Sequence, residues 1–336
     1  MPTISDTRVR LAVDEARALS EQTLLRRGYD EEDARILTDH MIDAALCGYE
    51  YSGLPKVLNI AESPRQLRPR RHIRAVRETP VSALLDGGNN NGMIAVYHAT
   101  QIAIRKASEH GFAVVGLNNS WMSGRSAYYV EMAARAGLIC IHTVSTIRNV
   151  APPGAAVAAT GTNPIAFGFP TAGEPLVIDM GTSAFMGTEL QLFERLGKPL
   201  PEGVAIDAQG KPTRDAAKVS AILSFGGYKG FALALASQAM GVFAGSAQDA
   251  EKIYGYMILM MKPDLLVPME DYRRDMSAML AELKATPRQQ GVDEIRLPGE
   301  RSLRERAKNL KAGLEIDRKI YDALVNFPKG TLQEKT

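Results

Sequence analysis

Apolar residues recur along this chain with two periods, and the change from one to the other marks its organisation. Ala16, Leu19, Leu24 and Leu25 fall at near-helical spacing and predict a helix over 13–27, closed by Gly28. A second helix is predicted over 30–46. Asp30 caps it, Glu31, Glu32 and Asp33 favour its positive end, and Ala34, Leu37, Met41, Ala44 and Ala45 make one apolar face. Residues 55–63 read as a third helix, after a loose or extended lead-in over 1–12. From residue 81 onward, strand-like runs at 81–85, 112–118, 138–144, 165–169, 175–179 and 254–261 mix with helical runs at 93–110, 128–136, 231–243 and 267–284. A helix pair is expected over 302–324 and a frayed tail over 327–336. Strands and helices do not alternate strictly, so no Rossmann sheet is expected. The turn formers of 86–92, including Gly87, Gly88 and Gly92, lack the strand–GxGxxG–helix order and read as a turn. The stripe Met269, Tyr272, Met276, Met279 and Leu280 reads as core. Loop 198–211 has the sense of a hairpin.

Composition changes this picture little. The 336 residues allow two domains, and the formal net charge of +2 gives no reason to expect a nucleic-acid or membrane surface. No apolar run approaches the length of a membrane span, and no signal peptide or internal repeat is visible. Cys47 and Cys140 form neither a metal-ligand spacing nor a disulfide framework, which fits the reducing cytoplasm. The run holding Arg65, Arg68, Arg70, Arg71, His72 and Arg74 reads as a solvated linker, with a 2′-phosphate site as the weaker alternative.

Four segments carry the candidate chemistry. The first is Gly161-Thr162-Asn163-Pro164, a turn feeding the 165–169 strand. Next comes Asp179-Met180-Gly181-Thr182-Ser183, read as a strand end at which Thr182 and Ser183 open a helix with N–H groups free for phosphate or ribose oxygens. Phe225-Gly226-Gly227-Tyr228-Lys229-Gly230 precedes an apolar helix, where glycines and a lysine suit an anion. The last is Arg296-Leu297-Pro298-Gly299-Glu300-Arg301.

Together, in this order, these segments resemble the malate/L-lactate dehydrogenase family of NAD(P)-dependent oxidoreductases, which is unrelated to Rossmann-type lactate dehydrogenase. The likeness extends roughly from Asp14 to Ala323. It implies an α/β (α+β) fold with a small helical domain (1–78 and 303–336) and an NAD(P)-binding domain (79–302) with a mainly antiparallel sheet. It also implies a homodimer, and NADPH or NADH held by Ser120, Met122, Ser123, Gly124, Arg125, Asp179, Met180, Gly181, Tyr228, Lys229, Pro298, Gly299, Glu300 and Arg301. Thr162 and Trp121 are the candidate substrate contacts, and Trp121 reads equally well as packing.

The chain departs from the family at its chemistry. A Ser-His-Gly segment followed by arginine is expected where this sequence has Tyr51, Ser52, Gly53 and Lys56. The histidine handles the proton and the arginine holds the substrate carboxylate. Histidines are also replaced at Trp121, Met122 and Pro153. Lys56 can hold a carboxylate as a point charge, but Ser52 is no acid at neutral pH. Glu189 matches the aspartate that orients the histidine; without that histidine it reads first as a solvated helix carboxylate and second as a catalytic one. A ketone reduced by hydride needs a proton donor, whereas a protonated C=N bond does not. The departure therefore predicts reduction of a ketimine or cyclic imino acid beside a carboxylate. Two alternatives stay open: a 2-oxo acid reductase with Tyr51 as acid, its pKa lowered by Lys56, and a degenerate paralogue that binds nucleotide without turnover.

Overall fold

A computed structural model of the chain describes residues 3–4, 7–247 and 252–328. Strand β1 (Thr3–Ile4) pairs with β2 (Arg8–Leu11), so the described part of the lead-in is extended, as one of the two expectations had it, and paired. Helices α1 (Val13–Arg27), α2 (Glu31–Leu46) and α3 (Pro55–Ala61) follow. Gly28, at φ 102°, ends α1 in the left-handed region, and the Asp30 carboxylate accepts the Asp33 N–H at 2.8 Å. The predicted apolar face of α2 is largely buried, in a cluster with Leu24, Leu58, Ile316, Ile320 and Leu324.

The last of these residues lie in β13 (Leu314–Asp317) and α10 (Arg318–Val325), which follow α9 (Glu300–Ala312). A strand thus interrupts the helix pair expected over 302–324. Gly313 ends α9 at φ 80°, where a Cβ would meet the Leu11 carbonyl at 2.4 Å, and β13 then pairs antiparallel with β2. Residues 329–336, most of the expected frayed tail, lie outside the described residues.

The main sheet takes β3 (Arg74–Thr79), β4 (Ser82–Asn91), β5 (Phe112–Trp121), β6 (Ile139–Ser145), β8 (Ile165–Phe169), β9 (Leu176–Met180) and β12 (Gly255–Met261) in the order 3-4-5-12-6-8-9. Only β4 and β5 run parallel, joined through α4 (Gly92–His110); every other neighbouring pair is antiparallel. This is the mixed α/β, mainly antiparallel and non-Rossmann architecture expected. Helices α4 and α5 (Ser126–Arg135) pack on the sheet, as does α7 (Tyr228–Phe243), which lies against β6 and β12. Two-residue strand β7 (Val150–Ala151), β10 (Ala205–Ile206) and β11 (Ala221–Leu223) form a small sheet beside α6 (Gly187–Leu196).

Three other expectations are corrected. The glycine–asparagine run is not a turn: β4 continues to Asn91 through an irregularity between Asp86 and Asn90. Side-chain amides take over part of the ladder there, with Asn90 donating to the Arg71 and Gly87 carbonyls and Asn91 accepting from Met93 N–H. The basic linker is solvated at Arg68, Arg71, His72 and Arg74, as expected, but it is anchored at Arg70. Arg70 is buried, pairs with Asp33 at 2.9 Å and lies over the Tyr29 ring. The methionine stripe belongs to α8 (Met269–Ala285), in which no residue is buried, and Met279 is 44% exposed. Periodicity located an apolar face without saying what covers it.

Removing one member of the buried Arg70–Asp33 pair strands the other. Asp33→Ala is expected to destabilise the fold by about 3–5 kcal/mol, read from denaturant midpoints.

Candidate active site

Two of the four chemistry-bearing segments, 179–183 and 296–301, converge with the turn that holds Arg125. The β5–α5 turn, the end of β9 and the entry to α9 line one cavity of about 360 Å³, which Arg125, Glu131, Asp179, Met180, Pro298, Gly299 and Arg306 help to wall, along with Tyr49. The Asp179 carboxylate accepts the Ala127 N–H at 2.7 Å, so it caps α5 as well as lining the cavity. Tyr49 is sandwiched by charge: the Arg125 guanidinium lies 5.5 Å and the Arg301 guanidinium 4.6 Å from its ring centre. Arg306 bonds Asp43 at 2.8 Å and Glu131 at 2.7 Å, while Arg125 bonds Asp43 and reaches the Cys47 sulfur. Burial alone would raise the Glu131 carboxyl, yet hydrogen bonds from Arg306 and Arg135 hold it down at about 2.

The β5–α5 turn owes its shape to a residue that sequence reasoning missed. His40, buried on α2, accepts the Arg125 N–H on Nε2 at 2.8 Å. Met122 and Gly124 are both left-handed, and a Cβ at Gly124 would sit 2.2 Å from His40 Nε2. Burial, then the nearby Lys56 and Arg125 charges, hold the His40 pKa well below its ordinary value, so it is a neutral acceptor. Nothing in the sequence distinguished it from any polar residue on the apolar face of a helix.

Other expected residues stand elsewhere. Ser120 is buried and donates to the Asn90 carbonyl, and the Ser123 carbonyl accepts from Tyr129. Trp121 donates to the Asn89 carbonyl at 3.1 Å and, with Met122, lines a second cavity of about 570 Å³ bordered by α6. Thr162 and Thr182 are joined, since Thr182 N–H and Oγ1 both donate to the Thr162 carbonyl. Thr182 and Ser183 therefore do not open a helix. Ser183 bridges to Ser224, α6 begins only at Gly187, and the Thr182 N–H is already used. Gly181 packs against Met186. Glu300 accepts from Leu297 N–H and Lys284, closing its own loop. Tyr228 and Lys229 start α7 in the open, Tyr228 76% exposed, and line neither cavity.

Tyr51 and Ser52 lie in a 3-10 turn (Glu50–Ser52) packed against α6, which carries Glu189. Burial, followed by the charges of Glu189 and Asp179, pushes the Tyr51 phenol above its ordinary value. The expectation that Lys56 would lower it is overturned: negative neighbours and loss of water dominate there, and Lys56 has no share. Burial also pushes the Glu189 carboxyl up. Ser52 is 5% exposed. Lys56, in the first turn of α3, is 3% exposed and has no hydrogen bond or ion pair among the described residues; burial pushes it down to about 8. His142 is remote from this chemistry in kind, a fully buried β6 residue edge-on to Tyr129, its imidazole driven down to about 3 by burial.

This is the architecture of an oxidoreductase built on a non-Rossmann α/β fold. The malate/L-lactate dehydrogenase family pattern matches residues 11–325, and the chain belongs to that family. It is 31% identical to a malate dehydrogenase of Pyrococcus abyssi, covering 96% of this chain and 94% of that one. A dehydrogenase structure from Sinorhizobium meliloti superposes with a TM-score of 0.87 at 27% identity, over 95% of this chain and 97% of the other. The delta1-piperideine-2-carboxylate reductase of Pseudomonas syringae superposes with a TM-score of 0.81 at 25% identity, over 94% and 98%.

The Lys56 shift sets a stability expectation. Its folded pKa lies below the unfolded 10.5, so between about pH 8 and 10.5 the unfolded state binds more protons and stability rises with pH. Below pH 8 the full cost of the buried charge is present, about 3 kcal/mol. Lys56→Met should be the more stable protein at pH 7, and the gap should close as pH climbs to 10.5, measured from paired urea melts.

Proposed function

We propose that this chain is an NAD(P)H-dependent reductase of a small carboxylate-bearing C=N compound, a ketimine or cyclic imino acid. The observation that carries the reading is Ser52, a buried hydroxyl in the place of the family's proton-handling histidine. Beside it the Tyr51 phenol is moved away from neutrality, which weighs against Tyr51 as the acid of a 2-oxo acid reductase. The likeness to the piperideine-2-carboxylate reductase supports the same reading. The likeness to malate dehydrogenase favours 2-oxo acid reduction as the second reading.

The cavity fits a nicotinamide dinucleotide. The Arg125 guanidinium and the N-terminus of α9 both offer positive charge to its phosphates, and Gly299, left-handed at φ 85°, lets the loop lie close on β9. Residues 179–181, 298–301 and Arg125 would hold the dinucleotide, which supplies the hydride. Arg301 rests on Tyr49 with no carboxylate partner among the described residues, an arrangement that suits a 2′-phosphate and hence NADPH. Lys56 would hold the substrate carboxylate.

A second copy of this chain is the proposed partner. The outer face of α7 is apolar along its length, with Tyr228, Leu235, Val242 and Phe243 all exposed. A helix that is apolar on every side is a buried helix, so this face calls for a cover, and the family resemblance implies a homodimer. Light scattering is expected to give twice the chain mass, and Leu235→Asp with Val242→Asp is expected to give a monomer.

A purified-enzyme panel tests the activity. NADPH oxidation is expected with piperideine- or pyrroline-2-carboxylate. Oxidation with pyruvate or oxaloacetate alone would move the assignment to the second reading, and NADPH binding without turnover of any of them would mark a nucleotide-binding paralogue.

A further inference from the structure

The second cavity, about 570 Å³ against about 360 Å³ for the first, has no part in the reading above. It lies between α3, which contributes Asn59, and α6, which contributes Gln191 and Arg195. The two cavities share one connection: Trp121 and Met122 line the second, and Arg125, three residues after Met122, lines the first. The 50–52 turn packs on both α3 and α6. Its Tyr51 joins the apolar cluster that includes Trp121, Met122 and Tyr254 of the second cavity. Burial raises the Tyr51 phenol first, then the charges of Glu189 on α6 and Asp179 in the first cavity, so the turn reaches both sides. The second cavity therefore lies beside the turn that carries Ser52, and next to the cavity assigned to the dinucleotide.

Two properties of its wall limit what it can hold. One is apolar surface. Trp121 is 4% exposed and its indole N–H is spent on the Asn89 carbonyl at 3.1 Å, so what it offers a ligand is its ring. Met122, Tyr254 and Ile147 continue that surface, and a methionine adapts readily to the outline of a ring. Met122 also keeps a left-handed backbone, at φ 59°, where the chain leaves β5, and such strain persists where a site fixes it.

The other property is cancelled charge. Glu62, which follows α3, and Arg195 form a two-point ion pair at 2.6 and 3.2 Å. The remaining charged side chains of the wall are one of each sign, Glu194 and Arg65, and Arg65 also donates to the Asn89 side chain at 3.2 Å. A second acidic group on a ligand finds no excess of positive charge here. Size points the same way. Cavities of roughly 300–1,000 Å³ bury ligands of drug size, and an acid as small as lactate or malate would leave most of this one to water.

We propose that the second cavity is the substrate pocket and that it selects a ring-bearing monocarboxylic acid: the bond to be reduced lies toward the 50–52 turn, and an uncharged ring lies on Trp121, Met122 and Tyr254. The inference rests on the reductase reading above and narrows its substrate class, setting cyclic imino acids and aryl-substituted ketimines ahead of dicarboxylic acids.

Trp121 is the only tryptophan of the chain, so its fluorescence reports on this cavity. In the full chain with NADP+ present, the unreactive probes cyclohexanecarboxylate and phenylacetate are expected to change that emission saturably, with Kd at least about tenfold below that of succinate. Succinate binding as tightly as the ring acids, or no response to either ring acid, would overturn the proposal. Ile147→Arg, at a side chain 45% exposed, adds positive charge to the wall. It is expected to shift the ratio of the two Kd values toward succinate by about tenfold; an unmoved ratio would overturn the assignment of the wall. Turnover separates this proposal from the reading beneath it. If piperideine-2-carboxylate is reduced while Trp121 ignores every ring acid, the pocket falls and the reductase reading stands. If Trp121 responds as expected but phenylpyruvate is reduced and piperideine-2-carboxylate is not, the pocket stands and the C=N reading falls.

Discussion

Arg125 is the joint on which the site depends. Its backbone N–H is held by the His40 imidazole, and its guanidinium by Asp43 of the same helix, so α2 grips the β5–α5 turn at two points. Arg306 extends the grip, bonding Asp43 and Glu131 and so fastening α9 to both α2 and α5. Buried charges of this kind contribute little net stability against an apolar substitute, but losing any one member leaves the others uncompensated. What they supply is position. The three walls of the cavity come from segments distant in sequence, and this network sets their spacing to hydrogen-bond precision.

The site also shows where stability is given up. Lys56 holds a charge in a place that repays it with no partner, and Met122 keeps a left-handed backbone that its side chain disfavours. Both lie in or beside segments to which the sequence assigns chemistry. A residue under such strain is retained when the surroundings over-determine it, and functional sites are where that happens.

Much of the fold was legible because local rules act there without tertiary help. The Asp30 cap, the Gly28 stop and the face of α2 follow from residue chemistry alone. So do the strands at 165–169 and 255–261, where β-favouring apolar runs are bounded by turn formers. What escaped depends on partners far away in sequence. Arg70 looked like one basic residue among many until Asp33 was placed beside it, and the strand at 314–317 is too short to register without β2. The apolar face of α8 was readable but its surroundings were not. In the site, the converging loops at 179–181 and 298–301 were picked out by the family resemblance, which rests on several motifs taken in order. His40 and the isolation of Lys56 were not, since both are properties of what lies around a side chain rather than of the side chain.

The pairing of β2 with β13 has a consequence for how the protein is made. The helical cluster at the start of the chain takes in Met93, Ile94, Trp121 and Leu192, but it is completed by Leu314, Ile316, Ile320 and Leu324, some three hundred residues after its first helix. On the ribosome, α1 and α2 emerge long before those partners exist, while every strand of the seven-stranded sheet is already available. The sheet can therefore assemble ahead of the first helices translated, which keep part of their apolar surface bare until synthesis is nearly over. Order of birth and order of completion are reversed, and a chaperone's demand would fall on the earliest segment rather than the last.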